Sequence, residues 1–215
     1  MLPLSLPPGG PRRVLCLGAH CDDVEIGCGG TLAELGRRFP AARFQWVVLS
    51  ADDQREAETR RAAARLHGPE AALEVEVARF RGSYFPFCGG DIKDYFESLK
   101  ARVEPDLILT HRLEDRHQDH RLVAELTWNT FRRHTILEYE IPKYEGDLGQ
   151  PNLYVPLAAE TVELKLKTLM ECFPSQRERG WFTDDLFRGH LRLRGIECHA
   201  PSGFAEAFHA RKLVL

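Results

Sequence analysis

Two short stretches carry the residues able to do chemistry. "GAHCDDVEIGCGG", residues 18–30, sets His20 beside the adjacent carboxylates Asp22 and Asp23, and "THRLEDRHQDHRLVAEL", residues 110–126, holds His111, Asp115, His117, Asp119 and His120. Imidazole nitrogen and carboxylate oxygen are the donors preferred by a divalent ion such as Zn²⁺, which in catalytic sites keeps one position open for water. Carboxylates and imidazoles beside such an ion can serve as general base and general acid. Either cluster alone is weak, because a single histidine at a strand end is usually structural. The argument rests on the two clusters meeting.

The elements that would bring them together are legible as apolar runs. Val14 to Gly18, Phe44 to Leu49, Leu73 to Phe80, Leu107 to Thr110 and Ile136 to Ile141 read as strands. Between them Arg55 to Leu66 is rich in Ala, Glu and Arg, and Asp91 to Val103 places Ile92, Tyr95, Phe96, Leu99 and Val103 on one helical face. This alternation predicts an α/β fold with a mostly parallel sheet and helices on both sides. In the doubly wound order 3-2-1-4-5, strands one and four are neighbours whose crossovers leave in opposite directions, and both polar clusters then face one crevice at the carboxyl edge. The glycines at 27, 29 and 30 read as a turn, with a helix opening at Thr31. After Pro142 the pattern predicts a loop over 143–151, a brief strand at 153–155, and helices over 160–173 and 184–194, elements expected to wall the pocket.

Composition and motifs exclude several classes. The net charge is −3 and the basic residues are scattered among acidic ones, so no stripe suited to nucleic acid forms. No apolar run approaches the roughly 20 residues of a membrane span, and the proline-interrupted N-terminus is a poor signal peptide, which predicts a soluble, cytoplasmic protein. Six cysteines without regular spacing read as reduced thiols. Gly27-Cys28-Gly29-Gly30-Thr31-Leu32 lacks the register of a dinucleotide fingerprint, and no Gly-Lys-Ser/Thr follows. One alternative stays open on the residues alone: Asp22-Asp23 and Asp52-Asp53 end the first two strands, and such acidic corners also hold Mg²⁺ in phospho-accepting signalling modules or phosphotransferases. That alternative leaves the H-x-D-H segment idle.

"AHCDDVEIGCGGTLAEL" and "PDLILTHRLEDRHQDHRLVAE" resemble the paired A-H-P-D-D and H-P-D-H signatures of the PIG-L/LmbE-like family of zinc-dependent N-deacetylases, and "REAETRRAAARL", "KLKTLMECFPSQ" and "AEAFHARK" look similar to further family segments. The resemblance implies a Rossmann-like three-layer αβα sandwich forming a single domain over 1–215, with 1–12 as a flexible extension. It implies an enzyme that removes acetyl from an N-acetylated amino sugar or amino-sugar conjugate by way of a zinc-bound water, with Zn²⁺ or another divalent transition metal as cofactor. By position, His20, Asp23 and His120 resemble the metal ligands, Asp22 the general base, and His117 the imidazole that stabilises the oxyanion or protonates the leaving amine. Asp119 matches the carboxylate that orients His117, and Arg55 an arginine that reaches substrate hydroxyls. Cys21 and Gln118 stand where the family usually has proline. Members often self-associate, a property no residue pattern of this chain marks. Cleavage of another amide, or of an ester bond, fits the same residues. In the segment "GSYFPFCGGD", residues 82–91, Tyr84 or Phe85 could stack on a sugar face. His111 reads as structural, with substrate contact as the alternative.

Overall fold

The computed structural model describes residue 6 and residues 9–214. Of the extension expected over 1–12, residues 1–5, 7 and 8 lie outside the described residues. Pro11 is buried, and the backbone N–H groups of Arg12 and Arg13 donate to the Asp106 carboxylate at 2.7 and 2.9 Å.

The chain alternates β1 (Arg13–His20), α1 (Asp23–Arg38), β2 (Arg43–Ser50), α2 (Asp53–His67), β3 (Ala72–Val77), α3 (Gly89–Arg102), β4 (Leu107–His111), α4 (Gln118–Thr130) and β5 (Thr135–Tyr139). It ends with β6 (Leu153–Pro156), α5 (Ala159–Cys172), α6 (Asp184–Glu197) and β7 (Ala205–Ala210). The strands form one sheet in the order β3-β2-β1-β4-β5-β7-β6. β1 to β5 are parallel neighbours, and β7 alone runs against β5 and β6.

Side-chain alternation along β1 explains the layers. Val14 and Cys16 face a core shared with Leu32 of α1, Leu66 of α2, Leu169 of α5 and Phe187 of α6. Leu15 and Leu17 face the opposite core, with Phe96 of α3 and Val123 of α4. Strands buried on both faces read as continuous apolar runs, which is why β1, β2 and β4 are so plain in the sequence.

Two elements differ from expectation. The glycine-rich run is helical: α1 begins at Asp23, and Gly27 to Gly30 lie inside it. Neighbouring side chains occupy the space a Cβ would take. An ideal Cβ on Gly27 falls 2.2 Å from the Tyr139 ring, and one on Gly30 falls 2.6 Å from Leu157 and 2.9 Å from Glu206. Glu206, from β7, accepts the Gly30 and Thr31 N–H groups at 2.8 and 2.6 Å, while the buried Lys165 ammonium bridges Glu206 and the Ile26 carbonyl, both at 2.5 Å. Glycine thus permits close approach here, at the cost of helix propensity. The other difference is β7, a strand that the sequence pattern does not announce.

Candidate active site

β1 and β4 are adjacent, paired from Val14↔Leu107 to Cys16↔Leu109. α1 leaves β1 toward one face and α4 leaves β4 toward the other, so both polar clusters stand at the point where the crossovers diverge. The turn between β1 and α1 is tight. Asp22 has φ 95°, a left-handed conformation that Asp tolerates better than most residues. Asp23 Oδ2 accepts the His20 N–H at 2.7 Å and closes the turn.

Three predicted side chains converge. His20 Nδ1 lies 3.3 Å from His120 Nε2. Asp23 presents Oδ2 3.5 Å from His20 Nδ1 and Oδ1 3.4 Å from His120 Nε2. Donors about 2.0–2.2 Å from a tetrahedral ion stand roughly 3.4 Å apart, so this spacing suits zinc. Burial, then the neighbouring His111, lowers the His120 pKa to about 3, which favours the unprotonated ring that a metal ligand requires. Its Nδ1 lies 3.0 Å from Asp115 Oδ2, the carboxylate partner that fixes the tautomer of a metal-binding histidine. Burial opposes charge on Asp23, yet the His120 and His111 rings hold its carboxyl well below the usual range.

Two further groupings of possible donors overlap this one, bringing in His117 and His111. The His117 ring belongs to the first, its donor within 4.8 Å of those of His20 and His120. Its Nδ1 accepts the Asp119 N–H at 3.2 Å and caps α4, which leaves the proton on Nε2. His111 belongs to the second, but it is fully buried, stacks on His120 at 3.9 Å, and its Nε2 accepts the Ala19 N–H at 2.9 Å. The same nitrogen lies 3.1 Å from Asp23 Oδ2, and the ring has no exposure for substrate contact.

Asp119 departs from the expected role. Its carboxylate does not reach the His117 ring. It meets His20 Nε2 at 2.9 Å and accepts the Ser83 and Phe85 N–H groups at 2.5 and 3.1 Å. The His20 imidazolium is disfavoured by burial, but hydrogen bonds to Asp119 and Asp23 outweigh this and push its pKa up to about 9 in the metal-free protein. His117 moves the other way, lowered by burial and by the charge on His20. Asp119 therefore contacts His20 rather than the His117 ring.

Asp22 sits beside this set with its side chain free of any capping bond. Burial is the main cause raising its pKa, Arg55 opposes it and Asp23 adds to it, and the result is about 7. Arg55 Nη2 lies 3.2 Å from Asp22 Oδ1 and also donates to the Cys21 carbonyl, while 21% of the Arg55 side chain stays exposed. Cys21 is fully buried, its pKa pushed up to about 12 by burial, with Sγ toward the Ser50 carbonyl. Gln118 uses its side chain to hold the Ser83 carbonyl at 2.5 Å. The acidic corner of β2 is spent elsewhere. Asp52 caps α2 through Arg55 N at 2.8 Å and Asp53 pairs with Arg79 at 2.7 Å, so the Mg²⁺ alternative loses half of its carboxylates.

The loop after β3 forms the rim. Phe85 is buried and stacks on His20 at 5.9 Å, so of the two rings expected to face a sugar only Tyr84 is exposed. Phe87, 6.1 Å from Tyr84, is 80% exposed, and Arg81 lies 3.5 Å over the Tyr84 ring. A cavity of about 410 Å³ opens at the opposite edge of the sheet among Arg13, Arg43, Arg102 and Glu104, and contains none of these groups. Among the described residues no helix is long and apolar enough to cross a membrane.

A family model described as GlcNAc-PI de-N-acetylase, PIG-L, matches residues 15–131, more than half of the chain. The chain is 29% identical over 172 residues to the uncharacterized deacetylase YaiS of Escherichia coli (strain K12), covering 74% of this chain and 89% of that protein. Its fold is similar to N,N'-diacetylchitobiose deacetylase from Pyrococcus horikoshii (19% identity, 93% and 83% of the two chains, TM-score 0.69). It is also similar to GalB, the 4-carboxy-2-hydroxymuconate hydratase from Pseudomonas putida KT2440 (17% identity, 95% and 98% of the chains, TM-score 0.77). The match spans both polar clusters, and the chain belongs to the PIG-L family.

Proposed function

We propose that this protein is a metal-dependent N-deacetylase that hydrolyses the acetamide of an N-acetylated amino sugar or its conjugate, releasing acetate and a free amine. The observation that carries the reading is the triangle of His20, Asp23 and His120 donors at 3.3–3.5 Å with the carboxyl of Asp22 beside it. These three residues would hold a divalent ion, and the mixed imidazole and carboxylate set favours zinc. Such an ion, when bound, lowers the pKa of a coordinated water to about 7 and polarises the acetyl carbonyl.

The protein's own residues do the rest. Asp22, deprotonated, takes the proton of the attacking water as the carbon–oxygen bond forms. His117 donates from Nε2 to the developing oxyanion, a contact whose loss typically costs about 3 kcal/mol or more. As the carbon–nitrogen bond breaks, the proton held by Asp22 passes to the amine. Asp119 acts on the ligand His20 and on the 83–85 backbone. Arg55 holds Asp22 in place and offers its exposed edge to a sugar hydroxyl. Tyr84 and Phe87 supply aromatic faces of the kind that stack on pyranose rings.

The diacetylchitobiose deacetylase similarity supports a sugar acetamide, while the GalB similarity shows that one fold also carries water addition to a double bond. A mass-resolved screen of N-acetylated mono- and disaccharides, nucleotide sugars and amino-sugar conjugates separates them. The reading expects loss of acetyl, abolished by chelation and restored by zinc. Gain of water by an unsaturated acid with no acetate release would overturn it.

A further inference from the structure

The loop after β5 carries a buried charge cluster that the proposed chemistry does not use. Tyr144, Glu145, Gly146 and Leu148 are exposed, yet Lys143 and Asp147 turn inward, their side chains 7% and 5% accessible. The Lys143 ammonium is enclosed by Asp147 Oδ1 and Oδ2 at 2.7 and 2.8 Å, Asp115 Oδ2 at 3.0 Å and the Ile141 carbonyl at 3.4 Å. Asp115 in turn accepts the His117 N–H on Oδ1 at 2.8 Å and meets His120 Nδ1 on Oδ2 at 3.0 Å. Asp147 also takes the Arg116 N–H at 2.6 Å, and its carbonyl accepts from Arg112 Nη1 at 2.6 Å. The far end of the loop is fixed through Gly149, whose N–H donates to Glu140 and whose carbonyl accepts from Arg194.

Burying an ammonium is unfavourable unless it is paired and hydrogen-bonded. Its surroundings give it a purpose. Asp115 must keep one position, because its two oxygens fix both the His120 tautomer and the start of α4 that carries His117. A second carboxylate, Asp147, is 2.8 Å from the same ammonium. Without Lys143 the two acidic groups would face each other in a buried space.

We infer that Lys143, clamped by Asp147, is a positioning residue for the metal centre: it holds Asp115 against His120 and so orients that ligand from a loop outside both signature segments. The inference rests on the ligand assignment above. The brace touches no donor atom directly: Asp115 is the partner bonded to the ligand, the kind of group whose loss typically changes metal affinity by about 10–100-fold, and Lys143 acts through it.

The test is zinc affinity by chelator competition on full-length wild type, Lys143→Met and Lys143→Arg, with the visible spectrum of the cobalt-substituted proteins and circular dichroism of the metal-free forms. Lys143→Met is expected to bind zinc several-fold more weakly, with an altered cobalt spectrum and unchanged metal-free helicity. Lys143→Arg restores the charge and should recover most of the affinity. If Lys143→Met does not fold, Lys143→Gln, which keeps a neutral donor, is read in the same assays. Equal zinc affinity and an unaltered cobalt spectrum in the charge-removing variant would overturn the inference while leaving the deacetylase reading intact. A wild type that binds no stoichiometric zinc would sink the ligand assignment and the inference with it.

Discussion

Removing the Arg55 guanidinium should move the acid limb of the activity profile upward in pH. Asp22 works as a base only when deprotonated, so activity falls as pH drops through its pKa. In the metal-free protein that pKa is about 7, raised by burial and held from going higher by Arg55, with Nη2 3.2 Å from Oδ1. Unscreened, a charge pair at that distance is worth about 5 kcal/mol at an effective dielectric of 20. Part of the guanidinium is exposed, and an opposite charge at such range ordinarily lowers a carboxyl pKa by about 1–3 units. A bound divalent ion draws the limb downward in every variant alike. Arg55→Gln should therefore shift the midpoint of kcat/KM upward by about one unit or more relative to wild type, whatever its effect on the plateau. Asp22→Asn should retain the metal and lose about 10²–10⁴-fold in kcat. The assay is acetate release from pH 5 to 9, with metal content measured on the same samples. A coordinated water titrates in the same range, but Arg55 touches Asp22 and none of the donors. A limb that stays fixed in Arg55→Gln, or an Asp22→Asn enzyme with most of its activity, would refute this assignment of the base.

Other outcomes follow from the same geometry. Gly27→Ala drives a methyl into the Tyr139 ring, an overpacking that should cost about 1–3 kcal/mol and lower Tm in calorimetry; an unchanged Tm would mean that the helix and β5 are not held so closely. Phe87→Ala removes an exposed ring at the rim, so KM for a disaccharide substrate should rise several-fold with kcat little altered, and no change on any sugar would remove the rim from substrate binding. Asp119→Asn weakens the hold on His20 and on the 83–85 backbone, so zinc affinity and thermal stability should fall together, as read by chelator competition and thermal melting.

Much of the frame was legible because parallel strands buried on both faces leave continuous apolar runs. The positions of β1, β2 and β4, and the meeting of the two clusters at the divergence of α1 and α4, follow from that pattern. The start of α1 was not legible. Gly27 and Gly30 look like part of a turn unless Tyr139, Leu157 and Glu206 are known to fill the space beside them. β7 escaped notice because Glu206 and His209 interrupt its apolar alternation, and Glu206 is paired with a lysine 41 residues away. Asp119 sits two residues from His117, which suggests a local pair, yet its carboxylate reaches His20 from 99 residues away. Lys143 lay in a segment readable only as loop, and its link to Asp115 spans 28 residues. Contacts between distant side chains depend on tertiary placement, which residue spacing does not encode. The aspartate of the D-x-H-x-D-H spacing at 115 was a visible signal, since a metal-bound histidine usually has a carboxylate partner.

The most direct test is the anomalous signal at the zinc edge from crystals of the zinc-loaded protein. The account predicts one peak bonded at about 2.0–2.2 Å to His20 Nδ1, His120 Nε2 and an Asp23 oxygen, with His111 uncoordinated and Asp22 free of the ion. A peak ligated by His111, or no peak at this edge of the sheet while the protein deacetylates its substrate, would contradict it.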